Sequence, residues 1–242
     1  MATPAELLVL FREDVDDIDG GVGGADYLWS DTEFYRYLDR AHKEYVRRTD
    51  ILKTATVTAI SDIAVTADNP IITPDANVLH PTRAKLLLDT RPLDIVPFEE
   101  LDGGTRAFDN DYGVLFSGTN WEAVTGTPRM LITNWDDTVW RLAPIPIVSD
   151  TLKLIATYSP TTDVTVATKD AAMAVPLIDD QVIMLDYVKY LAYRKQDADT
   201  YDVNLSSGFL TTFLRDAADR KSILKRKRHQ TQAVRYGGIP LN

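Results

Sequence analysis

The chain has 242 residues, with 26 Lys and Arg against 36 Asp and Glu, three His, no Cys and a formal charge of −10. Having no Cys excludes disulfides, thiolate zinc sites and cysteine nucleophiles, and no stretch approaches the length of a membrane span. Its start, MATPAELLVLFREDVDD, lacks a basic n-region, so no signal peptide is expected and synthesis in a cytoplasm is.

Apolar residues make up 45% and charged residues 26%, as in a soluble globular protein of one domain, or of a core with a second small one. The first element in chain order is a predicted helix over Thr3–Asp19. Leu7, Leu8, Phe11, Val15 and Ile18 recur there at three- and four-residue spacing. GGVGG, residues 20–24, breaks it and reads as a flexible joint. A second helix starts at SDTE, where Ser30 and Glu33 have capping-box spacing and Trp29 precedes the cap as a possible staple. Phe34, Leu38, Ala41 and Tyr45 form its apolar stripe, widened by Tyr37.

From about Lys53 the texture changes to short β-branched or aromatic runs: TATVTAI, VTADNPIITP, AKLLLD, PRMLITNW, TVWRLAPIPIV and TLKLIATYSP. Residues 53–160 are therefore predicted as a β-rich antiparallel insert, a small sandwich or barrel, with a hairpin turn at Asn134–Asp137. Helical spacing returns after Pro176, where Asp179 or Asp180 is the candidate cap. Val182, Leu185, Val188, Lys189 and Ala192 form the face, flanked by Tyr187, Tyr190 and Tyr193. A last helix is predicted from near Ser206 towards Lys227, with Phe209, Phe213 and Ala217 in line. Gly237, Gly238 and Pro240 end any helix.

The predicted fold class is α+β. Helices of residues 1–52 and 161–228 close one bundle, because none can bury its stripe alone. The insert of 53–160 hangs on it, and 229–242 form an extended C-terminal arm.

Candidate sites for chemistry are weak. In DVDDIDGG, setting Gly20 at the sixth place of a calcium loop puts Val15 first and Asp26 last. A required oxygen ligand and the bidentate Glu are then missing, which favours a solvated helix end. GGVGGAD lacks the third Gly of a dinucleotide fingerprint and the Lys-Ser or Lys-Thr of a phosphate loop. His42, His80 and His229 lie far apart with no partners identifiable from spacing. Neither catalytic residues nor a metal or cofactor is expected, and the chain is not expected to be an enzyme. Trp121, Trp135 and Trp140 could form a stacking platform, but core or cross-strand packing is the more ordinary use.

Charge is distributed unevenly. Between Arg220 and Asn242 stand seven Lys or Arg and no Asp or Glu, so the preceding 219 residues set 19 cations against 36 carboxylates. An acidic body argues against wrapping nucleic acid. The run KRKRH, Lys225–His229, reads as a solvated helix face, as a contact for phosphates, or as a dock for an acidic protein surface. Tyr236, Ile239 and Leu241 beyond it favour docking on protein, since phosphate binding gives apolar side chains no role.

Four stretches then combine. LWSDTEFYRYLDRAHKEYVRRT has a Trp or Leu, a Ser/Asp cap and an aromatic helix ending in basic residues. GTPRMLITNWDDTVWRLAPIP has a Gly-x-Pro strand followed by a hairpin. LIATYSPT is a strand ending in Tyr and Pro, and VPLIDDQVIMLDYVKYLAYRKQDAD a Pro, a short gap and a Tyr/Ala helix closing on Asp-x-Asp. Together they resemble the head–tail adaptor, or head-completion, proteins of tailed bacteriophages, especially podovirus-like ones, over Leu28 to about Asp199.

The resemblance implies a structural virion protein of the neck. Such adaptors form homo-oligomeric rings, commonly of twelve copies, under the portal protein after DNA packaging. They extend the channel through which genomic DNA passes without sequence-specific binding, and they offer a platform to tail or tail-tube proteins. Their C-terminal arms reach onto the portal. The matching segment has Arg220, Lys221, Lys225, Arg226, Lys227, Arg228 and Arg235 as cations and Tyr236, Ile239 and Leu241 as anchors. It is expected to be mobile before binding, because a free arm orders only on its partner. An acidic lumen would let DNA slide. The alternatives are another tail-tube or tail-completion component, or a nucleic-acid-binding protein using KRKRH.

Overall fold

The computed structural model describes residues 2–17, 28–99, 121–196 and 201–229. Internal contacts divide the chain into two units, Met1–Leu52 with Pro160–Asn242, and Lys53–Ser159. The architecture is α+β, with N- and C-terminal helices forming one unit and a mixed sheet the other.

The helical unit holds α1 (Pro4–Asp14) and α2 (Asp31–Thr49). Thr3 and Glu6 close a capping box on α1 with Pro4 in its first turn, and Ser30 with Glu33 does the same for α2. Helix α1 stops at Asp14, short of the predicted Asp19. Asp16 takes a left-handed φ of 58°, and the buried Asp17 accepts a hydrogen bond from Leu28 N at 2.9 Å, so the chain has turned out of helical geometry. Ile18, Asp19 and GGVGG lie outside the described residues. Ser30→Ala removes one half of its box and is expected to cost about 1 kcal/mol. Urea unfolding would show it as a lower midpoint with unchanged slope.

Of the later helices in this unit, one spans Ile178–Ala192 and the other Val203–His229; they are α4 and α5, after the short α3 (Thr58–Ser61) of the second unit. Neither Asp179 nor Asp180 caps α4. Leu177 occupies the cap position and makes no side-chain cap bond, while Asp180 is buried inside the first turn. Leu185, Val188 and Ala192 are buried as expected, but Val182 is exposed, and Gln181 and Met184 join the buried face. The face is rotated because Gln181 points inward, accepting from Ala2 N at 3.1 Å and donating to Val175 O at 2.9 Å. Helix α5 begins three residues ahead of Ser206, since Asp202 Oδ1 accepts from the N–H groups of Asn204 and Leu205.

Aromatic rings fill the space between these helices. Phe11 packs on Trp29 and Phe34, with ring centroids 5.6 and 5.2 Å apart. The Trp29 indole donates to Ala192 O at 3.2 Å and meets Tyr193 edge-on. Phe213, fully buried, packs against Tyr187 and Tyr45.

The second unit holds β1 (Lys53–Thr54), α3 (Thr58–Ser61), β2 (Asp62–Val65), β3 (Ile71–Ile72), β4 (Val78–Leu86), β5 (Pro92–Pro97), β6 (Thr125–Gly126), β7 (Met130–Asp136), β8 (Val139–Ala143), β9 (Ile145–Pro146) and β10 (Asp150–Tyr158). Its sheet runs β1-β10-β4-β5-β7-β8-β3, with β2 also on β10. Most pairs are antiparallel, as expected, but β5 pairs β7 in parallel and β6 pairs β9 in parallel. The run TATVTAI is not one strand: it passes from β1 into α3. In β7–β8 the turn falls at Asp137–Thr138, because Asp136 pairs with Val139. Asn134, at a left-handed φ of 58°, lies instead in the irregular stretch of β7. Alternation along β10 buries Leu152, Leu154 and Ala156. The first two join Ile63, Val65, Leu86, Leu131, Trp140 and Leu142 in the core.

Candidate functional site

Helix α5 carries the basic run, and its placement follows from how it lies on α4. Ser206 Oγ donates to Tyr190 O at 3.0 Å, Phe213 packs on Tyr187 at 4.8 Å, and Arg220 reaches Asp180. Residue numbers rise along α5 as they fall along α4, so the two helices are antiparallel. Since α4 begins at Ile178, α5 passes its start near Ile223. Residues 224–229 then overrun it by about 9 Å at 1.5 Å per residue.

Arg220 is not a free member of the basic run. Its Nη2 donates to Asp180 Oδ2 at 2.9 Å, and its Nε lies 2.7 Å from Oδ1 as an ion-pair contact off hydrogen-bond geometry. The Tyr45 hydroxyl donates to the same Oδ1 at 2.6 Å. Asp180 is 1% exposed, so this cluster ties α2, α4 and α5 together out of water. Burial, then the hydrogen bond to Asp180 and its charge, push the Tyr45 hydroxyl far above the ordinary phenol range. Lys221 is also held, with Nζ 2.8 Å from Asp50 at the left-handed end of α2.

Beyond these two, Lys225, Arg226 and Lys227 are exposed. At a helix C-terminus such cations favour the helix itself, and they also present a compact positive end. The side chains of Arg228 and His229 lie outside the description, as do Arg235, Tyr236, Ile239 and Leu241 with the rest of the arm.

The other candidates resolve into structure. Asp14 pairs with Lys189 at 2.7 Å, and Asp17 serves the backbone of Leu28. Among the described residues no group of three or more His, Asp or Glu side chains could hold a metal ion. His42 is buried in α2 with no partner on either nitrogen among the described residues, and burial lowers its pKa to about 4, only partly opposed by Asp39. His80 stands opposite Thr157 in the other unit's sheet. Trp140 sits in the sheet core. Trp135 packs edge-on to Phe98 at 5.1 Å under the Arg141 guanidinium, 4.5 Å from its ring centroid. These two do not form a stacking platform.

Sequence reasoning named Asp180 only as a cap candidate and Tyr45 only as part of a stripe, missing that both meet at Arg220, and it missed Gln181. One signal bore on that meeting: Phe213, Ala217, Arg220 and Leu224 recur at four, three and four residues. That spacing places Arg220 in the stripe of α5, where a buried cation calls for an acid, but it does not say which acid on which helix.

The sequence profile of the SU10 adaptor protein family matches residues 2–236. No curated protein matches the chain.

Proposed function

The chain belongs to the SU10 adaptor protein family, phage structural proteins, and from that premise we propose that it is the head–tail adaptor of its virion. In this reading it docks as a ring under the portal in the neck, extends the DNA channel and offers the tail its platform. The observation that carries the reading in this chain is the basic end of α5, held at its root by the Arg220–Asp180 pair and exposed at Lys225, Arg226 and Lys227.

The division of labour among the cations follows from that geometry. Arg220 and Lys221 are occupied at home by Asp180 and Asp50. Docking therefore falls to Lys225, Arg226, Lys227 and Arg228, with Arg235, Tyr236, Ile239 and Leu241 further along the arm. One arm of modest affinity suffices, because a ring repeats the contact with every subunit. Repetition by twelve, the number the resemblance implies, also favours head-to-tail contacts that close. A nucleic-acid reading would leave the arm's apolar residues unused and set an acidic body beside phosphates.

The test is sedimentation of the purified chain alone and with the portal ring of its own phage. The full chain is expected to co-sediment with the portal in a fixed ratio. Truncation after Leu224 keeps the Arg220–Asp180 pair, so the fold should persist while co-sedimentation is lost. A full-length chain that stays apart from the portal, or a truncated one that still binds it, would overturn the reading. Truncation after Asp219 is a poor test, because it strands Asp180 as an unpaired buried charge.

A further inference from the structure

We propose that the first turn of α4 is the apolar half of the surface whose cationic half is the end of α5. Together they take an acidic protein surface that also presents apolar side chains. The proposal deepens the docking reading above and rests on it, naming residues on a helix that the basic segment does not include.

The start of α4 breaks a local rule. A helix N-terminus ordinarily has Ser, Thr, Asp or Asn at the cap, worth about 1 kcal/mol. Here the cap is Leu177, with no side-chain bond to the open N–H groups. The sequence around it, Pro176-Leu177-Ile178, is exposed throughout. Leu177 is 50% exposed, Ile178 44% and Val182 47%, and on α5 Ile223 is 37%. Local rules of this kind are broken mainly where function requires it.

Helical geometry puts Ile178, Val182 and Ile223 beside one another. Lys189 of α4 lies over the Phe209 ring of α5, 5.4 Å from its centroid. Two turns back from Lys189 is Val182, while two turns on from Phe209 is Asp216, whose charge reaches Asp186 of α4 and adds to the raising of its pKa by burial. Two turns on from Asp216 along α5 is Ile223, and one turn back from Asp186 along α4 is Val182. Because the helices are antiparallel, both steps run in the same direction and stay on one face. Ile178 precedes Val182 by one turn, and Lys227 follows Ile223 by one turn. The result is an apolar strip with the cations Lys225, Arg226 and Lys227 at its far end and Asp179 on its rim.

The chemistry selects the occupant. Exposed apolar residues contribute when they are buried against protein, at the core of an interface with charges at its rim. Phosphodiester backbone gives them nothing to bury against. The exposed cations call for carboxylates opposite, which assigns the surface to an acidic partner. In the docking reading, that partner is the portal.

The double variant Ile178→Ser, Val182→Ser tests the proposal on the full chain, in the same sedimentation with the portal ring. Both side chains are exposed, so the thermal midpoint is expected to stay the same or rise. Portal affinity is expected to fall about tenfold, the loss of a modest interface hot spot. If the wild type binds the portal and the variant binds within twofold of it, this proposal falls and the docking reading stands. If the wild type ignores the portal, both fall. If the variant keeps portal affinity but changes self-association of the chain, a second copy covers this face, and the proposal is overturned in that form.

Discussion

Arg220→Ala is expected to destabilise the helical unit by about 3–5 kcal/mol, the cost of breaking a buried ion pair from one side. That is a large share of the 5–15 kcal/mol typical of a folded domain. The reason is the partner left behind. Asp180 is 1% exposed, and among the described residues it would keep the Tyr45 hydroxyl as its side-chain donor. Asp180→Ala should cost a similar amount, because it strands the guanidinium beside Tyr45. The paired change Asp180→Leu, Arg220→Met removes both charges and is expected to recover most of the loss, since well-packed apolar pairs often equal buried ion pairs. Urea unfolding of the four proteins, as a double-mutant cycle, gives the coupling directly. Additive losses, with the double variant worse than either single one, would mean that the two residues do not act as a pair.

The cycle also separates two roles of the basic segment. The portal contact is proposed to start at Lys225, so the double variant should fold and still bind. If its fold is sound and portal binding is lost, the pair aims the end of α5 as well as stabilising it.

What the sequence disclosed about this region follows from the range of each signal. Capping chemistry acts within four residues, and the Ser30–Glu33 box placed the start of α2 where the structure has it. The end of α1 rests on Asp16 adopting a left-handed turn and Asp17 folding back to Leu28. Nothing in an apolar spacing that continues to Ile18 reveals that. Short β-branched and aromatic runs found most strands of the insert, and a turn signal joined β7 to β8, but the other partners were not legible. Alternation fixes which face a residue takes, while the parallel pairing of β5 with β7 depends on a connection of more than thirty residues. Clustered cations were visible from composition alone. Which of them were already engaged was not, because Asp180 and Arg220 are forty positions apart and meet only once α4 and α5 pack. Asp180 at a helix start looks like a cap, and its burial could be inferred only from the facing helix.

Acid sensitivity gives the second large effect, and it comes from a residue with no role in docking. His42 is 2% exposed, and neither ring nitrogen has a partner among the described residues. Burial favours the neutral ring, so the folded pKa is lowered from 6.5 to about 4. Above about pH 6.5 the ring is neutral folded or unfolded, and pH has no effect through this group. Between about 6.5 and 4 the unfolded chain binds a proton that the folded chain refuses, so stability falls as pH falls. The full loss is about 3 kcal/mol, at 1.36 kcal/mol per pKa unit, and it is complete once the pH is below 4. Carboxylates titrate in the lower part of this window, so the informative quantity is a difference between proteins. His42→Leu should match or exceed wild-type stability at pH 7.5, because it removes an unsatisfied buried polar ring. It should also lack the His42 part of the acid loss, and the two stability curves should diverge most steeply between pH 6 and 4.5. Parallel curves across that range would mean that the ring takes up its proton in the fold as readily as in the open chain. A divergence on the alkaline side of pH 7 would reverse the sign of the linkage.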